Sequence, residues 1–402
     1  MIPKPNKIKE VYLDHAATTY TDKQVVDTML PYFTEIYGNP SALYHKGIEA
    51  NGALNEARRT ASKLIGALPE NIIFTAGGSE SDNLAIYGIA QAHSDKGKHI
   101  ITTAIEHHAV LHPIHDLEKQ GYEVTYLKVN AEGFVNINDF KKALRPDTIL
   151  VTIMYANNEV GTIEPISDIG REILKHRKDN NTSYPYFHTD ACQAAEYLSL
   201  DVEKLHVDLM TINGSKIYGP KGIGMLYVRR GIRIKPQVLG GSQERKMRAG
   251  TENVPAIMGL AKALEIAQQH GQKENDRLIK LTNYFLKELE EKIPKIKLNG
   301  PPIGEGRLAN NLNIAFDGIE GEALLLYLDE YGIMCSNGSA CTSESVEPSH
   351  VLTEMGLDTK LAQSSVRFTL GRTTEKDDID YVMKYLPDVV KELREINKIN
   401  SK

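Results

Sequence analysis

Short runs of apolar residues alternate with amphipathic stretches along the first two thirds of the chain. The apolar runs have the length and the β-branched content of strands, and the stretches between them place apolar residues at helical spacing. This alternation predicts βαβ units, and therefore a mainly parallel sheet with helices on both faces. The predicted strands are residues 72–75, 100–102, 123–127, 149–154, 186–188, 208–212 and 223–228, and the predicted helices include residues 81–93 and 110–120.

The pattern changes beyond Gly259. A long amphipathic helix begins there, and a second, smaller layer of structure follows it. Residues 376–397 are again amphipathic and predict a terminal helix. The apolar positions of the long helix are Leu278, Leu281, Phe285 and Leu289, set among lysines and glutamates.

The composition is that of an ordinary globular protein. Of 402 residues, 41% are hydrophobic and 25% are charged, which argues against a disordered or fibrous chain. The net charge is -6 and the sequence contains no block of basic residues, so we expect no direct nucleic-acid partner. The longest strictly apolar run, residues 323–328, is far shorter than the about 18 residues that suggest a membrane span. Residues 1–7 lack the apolar core of a secretory signal, so the expected location is the cytoplasm.

The three cysteines are too few, and odd in number, for a disulfide framework, so any chemistry lies in a single thiol. Small polar residues at 335–344 predict an exposed, mobile loop around Cys341. Because the thiolate must be accessible to attack, Cys341 is the candidate nucleophile. Cys335 follows an apolar stretch and is expected to be buried, and Cys192 is expected to be a packing residue.

Polar clusters follow the ends of several predicted strands, where ligands of parallel sheets bind. The first cluster, residues 76–83, begins with Ala-Gly-Gly-Ser. Its glycines permit close backbone approach, Ser79 can cap the following helix, and a helix N-terminus suits a phosphate. Taken alone, the cluster is more often a simple turn.

The second cluster contains histidines. His107 lies just past a predicted strand, where it can cover a planar ligand or move protons. His108, His112 and His115 share one helix face, but no carboxylate or thiol completes a familiar metal set. Surface histidines are therefore the favoured explanation, and no metal is expected.

Two further strand ends carry a carboxylate and a lysine. Asp190 in apolar surroundings is costly unless it meets a cation, although it could simply cap a helix. Lys216 follows the turn at residues 213–215 and is placed to be desolvated and nucleophilic, although a surface lysine is the usual alternative. The glycines at 219–224 do not predict a dinucleotide site, because a strand pattern and not a helix follows them.

The four clusters are more informative together than singly. Pyridoxal phosphate needs an anion site, a neighbour for its ring, an acid for its pyridine nitrogen and a lysine that bonds it covalently. The sequence places one candidate for each of these parts at the end of a different strand. We therefore expect pyridoxal phosphate as the cofactor.

Seven motifs also carry a family resemblance. They are Tyr12-Leu-Asp-His-Ala-Ala-Thr-Thr19, Gly38-Asn-Pro-Ser41, Glu80-Ser-Asp-Asn83, Thr189-Asp-Ala-Cys-Gln193, Lys216-Ile-Tyr-Gly-Pro-Lys-Gly222, Arg248-Ala-Gly-Thr251 and Gly338-Ser-Ala-Cys-Thr-Ser343. Together they resemble the cysteine desulfurases of the NifS/IscS type, almost from end to end. The resemblance implies a class-V aminotransferase-like chain with the pyridoxal-phosphate-dependent transferase fold of type I. It implies a large α/β domain over residues 15–262 and a smaller α+β domain, residues 1–14 and 263–402, that carries the cysteine loop at about 335–350.

The resemblance also implies roles for individual residues. Lys216 would bond the cofactor, Asp190 would pair with its ring nitrogen, and His107 would stack on the ring. Gln193 would bond the phenolic oxygen. The implied phosphate contacts are Gly78, Ser79, Asn213, Ser215 and, across a dimer interface, Thr251. The implied substrate contacts are Asn39, Asn158 and Arg367, and Cys341 would receive the sulfur.

The chain departs from the family pattern in two places. The family usually has Ser-Gly-His before the lysine, whereas this chain has Asn213-Gly-Ser215, so that a neutral donor would replace an imidazole. Ser79 stands where threonine is common and keeps the hydroxyl group.

The implied reaction converts L-cysteine to L-alanine and leaves the sulfur on Cys341 as a persulfide, for an iron-sulfur scaffold or another acceptor protein. Lys216 would remove the Cα proton and His107 would take the proton of the substrate thiol. A selenocysteine lyase or an aminotransferase of the same fold is the alternative, and an aminotransferase would not need Cys341. A sulfur-relay partner without catalysis is a third hypothesis, against which the presence of Lys216 and Asp190 argues.

Overall fold

The computed structural model describes residues 7–337 and 348–400. The strands of this part of the chain are β1 (Val11–Tyr12), β2 (Ile72–Thr75), β3 (His99–Thr103), β4 (Glu123–Leu127), β5 (Thr148–Thr152), β6 (Tyr186–Asp190), β7 (Leu209–Asn213), β8 (Gly224–Val228), β9 (Ile296–Asn299), β10 (Asn311–Phe316), β11 (Ile333–Met334) and β12 (Ser365–Thr369). The central sheet has the order β2-β8-β7-β6-β5-β3-β4. Strands β7, β6, β5, β3 and β4 run parallel, and β8 is antiparallel to both of its neighbours. The prediction of an α/β fold with a mainly parallel sheet is confirmed.

Helices cover the sheet. They are α1 (Lys23–Met29), α2 (Pro31–Thr34), α3 (His45–Leu64), α4 (Gly78–Ala92), α5 (His108–Lys119), α6 (Ile137–Ala143), α7 (Ile166–Asp179), α8 (Val202–Leu205), α9 (Val254–Lys292), α10 (Gly321–Asp329), α11 (His350–Glu354), α12 (Thr359–Gln363) and α13 (Lys376–Asn400). The long helix begins at Val254, before the predicted start, and the terminal helix is close to the predicted one.

Helix α4 begins earlier than predicted, and Ser79 does not cap it. The N-cap is Gly77, which has no side chain to bond the first turn and adopts a φ of 156°. Residues other than glycine hardly reach that backbone conformation. Ser79 therefore lies within the first turn of α4 and leaves the N-terminal N–H groups of the helix available.

The buried apolar side chains of the described residues form several clusters, of which two are important for the position of the site. One lies on the faces of the central sheet and includes Phe187, Leu260 and Ala267. Another unites the first strand with the C-terminal part of the chain, since Val11 packs with Phe285 and their neighbours. A small antiparallel sheet of order β12-β10-β9 lies in the second core, and β1 pairs with β11.

Helix α9 connects the two cores. Its residues as far as Ala267 pack on the central sheet, and its residues from Leu278 onward pack in the second core. The predicted domain boundary after residue 262 thus falls within a continuous helix. Among the described residues, no helix is both long enough and apolar enough to cross a membrane.

A buried ion pair fixes the strand that leads to Gly77. Arg58 donates to both carboxylate oxygens of Glu244, at 2.6 and 2.9 Å, and to the carbonyl of Ile72 at 2.6 Å. Glu244 also accepts the N–H of Phe74 at 2.9 Å. The turn at Glu244 is strained, because three successive non-glycine residues have φ values of 42°, 54° and 67°. The ion pair therefore holds both this turn and β2 in place.

We expect Arg58→Met to lower the free energy of unfolding by about 3–5 kcal/mol, since it leaves the carboxylate of Glu244 buried without its cation. Urea denaturation followed by circular dichroism measures the change. The double variant Arg58→Met/Glu244→Leu should recover part of the loss, because no charge is left unpaired. A single variant as stable as the wild type would contradict the role of the pair.

Candidate active site

A cavity lies where the carboxyl ends of β3, β5, β6 and β7 meet the start of α4, as expected for a parallel sheet. Its lining residues are Ala16, Ala17, Gly78, Ser79, Asp82, His107, His108, Met154, Ala156, Asn158, Glu159, Asp190, Cys192, Gln193, Asn213, Lys216, His350 and Arg367. The structure thus brings together most of the site residues proposed from the sequence.

Four proposed residues are not among those lining it. Ser215 accepts the N–H of Thr19 with its carbonyl, and Asn213 forms the cavity wall at this turn. Asn39 is exposed, and its side chain accepts the N–H of Ser41. Thr251 is also exposed. Cys341 lies outside the described residues, and so does most of the proposed cysteine loop, so that these assignments stay predictions.

The floor of the cavity is a backbone cradle at the start of α4. Because Gly77 offers no side-chain cap, the first N–H groups of α4 are available to an anion. A Cβ atom on Gly78 would lie 2.9 Å from Sγ of Cys192 and 3.4 Å from Cβ of Asn213, so only glycine lets these segments approach so closely. Such a cradle suits a phosphate group.

Lys216 is held by the N-terminal segment of the chain. Its Nζ donates to the carbonyl oxygens of Ala16 at 2.7 Å and of Ala17 at 2.6 Å. The amide of Gln193 donates to the Ala16 carbonyl as well, at 3.0 Å. The motif that contains these two alanines does not predict this contact. The contact is made by backbone carbonyls, which every residue type carries.

Asp190 stands in front of a layer of buried polar groups. Its Oδ1 accepts the N–H of Cys192 at 2.9 Å. Behind it lies Asp82, whose pKa is raised well above its usual value by burial and by the charge of Asp190. Burial also lowers the pKa of His188 to about 4. Burial therefore disfavours the charged form of both Asp82 and His188 beside Asp190.

His107 caps helix α5 with its own ring. Its Nδ1 accepts the N–H of Ala109 at 3.0 Å. A backbone N–H only donates, so the neutral ring must carry its proton on Nε2. Burial lowers the pKa of His107, which favours this neutral form. In this tautomer His107 offers a donor at Nε2, whereas the sequence analysis expected it to accept a thiol proton.

Arg367 forms the wall opposite the cradle. It is 2% exposed, and its guanidinium donates to Oδ1 of Asp14 at 2.7 Å and to the backbone carbonyl of Asn158 at 3.0 Å. A guanidinium held in this way can bind a carboxylate. Asn158 contacts Arg367 through its backbone carbonyl. The expected contact between the Asn158 side chain and the substrate stays a prediction.

Glu159 and His350 are titratable lining residues to which the sequence analysis gives no role. Glu159 is buried, its Oε2 accepts the hydroxyl of Ser349 at 2.5 Å, and burial raises its pKa. His350 contacts the carbonyl of Glu106 through Nε2 at 3.0 Å. Both contacts join distant parts of the chain, so only the folded structure reveals them.

The cysteines and histidines of the described residues form no metal site. No group of three or more His, Cys, Asp or Glu residues within 7–337 and 348–400 is placed to hold a metal ion. Instead, the rings of His108 and His112 are hydrogen-bonded to each other at 3.2 Å. Cys192 is buried, as expected, whereas Cys335 is only partly buried.

The residues present fit pyridoxal phosphate. The uncapped start of α4, with the space that Gly78 leaves, suits its phosphate. Lys216 and the carboxylate of Asp190 line the same cavity, and so does the ring of His107. They are the candidates for the covalent anchor, the acid and the ring neighbour that this cofactor requires.

We expect Gly78→Ala to raise the dissociation constant for pyridoxal phosphate about tenfold, since the new methyl group forces Cys192 or Asn213 to move. Titration of the cofactor-free protein, followed by visible absorbance, measures this. Gly52→Ala is the matched control, because it also lies in a helix but meets nothing within 4 Å. Equal affinities for the two variants would contradict the cradle.

Comparisons with known proteins agree with this site. The aminotransferase class-V family model matches residues 11–382. The cysteine desulfurase IscS of Dictyoglomus turgidum is 50% identical over 400 residues, which cover 98% of this chain and 99% of that protein. The cysteine desulfurase IscS of Methanosarcina thermophila is 50% identical over 394 residues, which cover 98% of this chain and 95% of that protein.

Solved structures agree as well. A NifS-like protein superposes with a TM-score of 0.89 at 36% identity, covering 96% of this chain and all of that one. SspA in complex with cysteine superposes with a TM-score of 0.77 at 36% identity, covering 89% of this chain and 98% of that one. The chain therefore belongs to the class-V aminotransferase family and, within it, to the cysteine desulfurases of the NifS/IscS type.

Proposed function

We propose that this chain is a pyridoxal-phosphate-dependent cysteine desulfurase that converts L-cysteine to L-alanine and transfers the sulfur to Cys341. The observation that carries the proposal is the cavity in which the amine of Lys216, the carboxylate of Asp190 and the guanidinium of Arg367 meet. Each belongs to a different segment of the chain, and together they can bind an amino acid and its cofactor.

When bound, pyridoxal phosphate supplies a conjugated ring that stabilises negative charge on the substrate. Lys216 would anchor it, and the start of α4 would bind its phosphate. Asp190 would pair with the ring nitrogen, His107 would lie against the ring, and Gln193 would bond the phenolic oxygen. Asn213 lines the cavity beside Gly78 and Ser215 does not, which supports the Asn213 amide as the neutral donor that takes over from the imidazole of the family.

The side chains would divide the work on L-cysteine. Arg367 would bind its carboxylate, because the guanidinium faces the cavity while Asp14 and Asn158 hold it. The amine of Lys216 would move the Cα proton. The sulfur of Cys341 would then attack the substrate sulfur, so that an S–S bond forms while the C–S bond breaks. L-cysteine and the Cys341 thiol thus become L-alanine and a persulfide.

The persulfide would pass to an acceptor protein in the cytoplasm, such as a scaffold for iron-sulfur clusters. The family resemblance supports this step. A preference for selenocysteine remains the alternative of the same fold, and competition between the two substrates distinguishes them.

We expect Cys341→Ser to bind cofactor and substrate normally but to form no persulfide, since a serine hydroxyl is a poor nucleophile toward sulfur. Mass spectrometry after brief exposure to L-cysteine measures the reductant-labile extra sulfur, and an alanine assay measures turnover. Sulfur that maps to Cys192 or Cys335 would contradict the role of Cys341.

We expect Lys216→Ala to release alanine at less than about one thousandth of the wild-type rate, because the variant lacks the amine that moves the Cα proton. The same alanine assay measures this, and full turnover without Lys216 would contradict the proposal.

We also propose a homodimer. Exposed large apolar side chains are frequent in the segment from α1 to the start of α3, and Leu43 there is 93% exposed. Thr251 is exposed and does not line the cavity of its own chain. Both observations support a second copy that covers this surface and receives Thr251. The exposed residues of the segment are Val26, Leu30, Phe33, Tyr37, Leu43, Tyr44 and Ile48.

The wild-type chain should sediment at twice its own mass at micromolar concentration, and Phe33→Asp should shift it toward the monomer because a charge enters the buried surface. Analytical ultracentrifugation measures both. Leu326→Asp is the matched control, since Leu326 is 71% exposed on α10, outside this segment. A monomeric wild type that retains its cofactor would contradict the dimer.

A further inference from the structure

The turn between β2 and α4 is held by a glutamate of the helix that follows it. The N–H of Ala76, in this turn, donates to Oε2 of Glu80 at 3.1 Å. Glu80 is the third residue of α4, the position from which the glutamate of a capping box reaches back to the N-cap residue. Here it reaches one residue further back, past Gly77. The carboxylate therefore fixes the turn and leaves the first N–H groups of α4 to an anion.

One segment of the chain contacts both sides of this turn. Glu244 accepts the N–H of Phe74, in the strand that enters the turn, at 2.9 Å. Arg248, four residues later, donates to Oε1 of Glu80 at 2.9 Å and to Oε2 at 3.4 Å. The strand before the turn and the helix after it are thus bonded to the same short segment, which fixes their relative position.

Arg248 itself lies in a closed loop. The N–H of Gly250 donates to Oε1 of Gln243 at 3.1 Å, which joins the two ends of the loop. Gly250 has a φ of 106°, a conformation that residues with a side chain rarely adopt. The loop therefore brings the guanidinium of Arg248 to Glu80 without any contribution from a ligand.

The charge of Glu80 is unfavourable for a phosphate unless it is neutralised. A carboxylate in the first turn of a helix lies in the same field that attracts an anion, and two like charges repel each other. The side chains of Glu80 and Arg248 are 24% and 26% exposed, so solvent screens their charges only in part. Because partly exposed ion pairs contribute little to stability, we expect the fold to tolerate the loss of this one.

We propose that Glu80 and Arg248 are positioning residues for the phosphate of the cofactor. Glu80 fixes the turn through the N–H of Ala76, and Arg248 neutralises Glu80, so that the start of α4 can bind a further anion. Neither side chain lines the cavity, so both act through the backbone and the electrostatic field of the cradle. The inference rests on the proposed function, which supplies pyridoxal phosphate as the ligand.

The substitution Arg248→Gln leaves the charge of Glu80 without its cation. We expect it to raise the dissociation constant for pyridoxal phosphate about tenfold, because the carboxylate then repels the phosphate. The affinity for pyridoxal, which has the same aldehyde and ring but no phosphate, should stay within about twofold of the wild-type value. Titration of the cofactor-free protein with each compound, followed by visible absorbance, measures both. An unchanged affinity for pyridoxal phosphate, or an equal loss for the two compounds, would overturn the proposal.

The double variant Arg248→Gln/Glu80→Gln separates the charge from the structure of the loop. A glutamine at position 80 keeps an oxygen for the N–H of Ala76 but carries no negative charge. We expect the double variant to bind pyridoxal phosphate within about threefold of the wild type, since no carboxylate is left uncompensated. If Arg248 acted only by shaping its own loop, which also carries Thr251, the second substitution would recover nothing. A double variant as weak as Arg248→Gln would therefore overturn the proposal.

Arg59→Gln is the matched control for the loss of one positive charge. Arg59 also forms an ion pair with a glutamate, Glu56, but both lie on α3 and outside the cavity. The control should bind both compounds like the wild type. An equal, tenfold loss in Arg59→Gln would indicate an effect of net charge alone and would also overturn the proposal.

The proposed function and this inference fail in different ways. A wild-type protein that binds no pyridoxal phosphate would contradict the proposed function. A wild-type protein that binds it, together with an Arg248→Gln variant of equal affinity, would contradict only the role of Glu80 and Arg248.

Discussion

The buried guanidinium of Arg367 is the interaction on which the cavity depends. A cation that is 2% exposed is stable only if its hydrogen bonds replace the lost water. The guanidinium donates to Asp14 in the N-terminal segment and to Asn158 after β5, while the backbone of Arg367 pairs with that of Ser336. Arg367 therefore links the second core to the central sheet at the edge of the cavity.

The N-terminal segment, which contains Asp14, also spans the two cores. Val11 and Leu13 pack in the second core, whereas the carbonyls of Ala16 and Ala17 lie over the central sheet and bind Lys216. Helix α9 makes a similar crossing in one continuous element. The two cores are thus joined at the cavity by the beginning of the chain and behind it by a helix, which limits how far they can move apart.

The sequence predicts the sheet and the strand-end chemistry well, because both depend on local patterns. Lys216, Asp190 and His107 each follow a strand, and parallel strands bring their carboxyl ends to one edge. The missing parts are of other kinds. The carbonyls that hold Lys216 are backbone atoms, and Gly77 replaces Ser79 as the helix cap through an unusual φ. Glu159 and His350 reach the cavity through contacts between segments about 190 to 245 residues apart, which no local pattern encodes.

Residue type alone also leaves the chemistry of a titratable group open. Asp82 is a carboxyl group like any other in sequence, yet burial and the neighbouring charge of Asp190 raise its pKa well above the usual value. The two histidines differ for another reason: Ala109 offers His107 a donor, and Glu106 offers His350 an acceptor. Because backbone groups cannot exchange these roles, the fold determines which ring nitrogen has a lone pair. Two imidazoles of one cavity therefore have different hydrogen-bonding roles, although their residue type is the same.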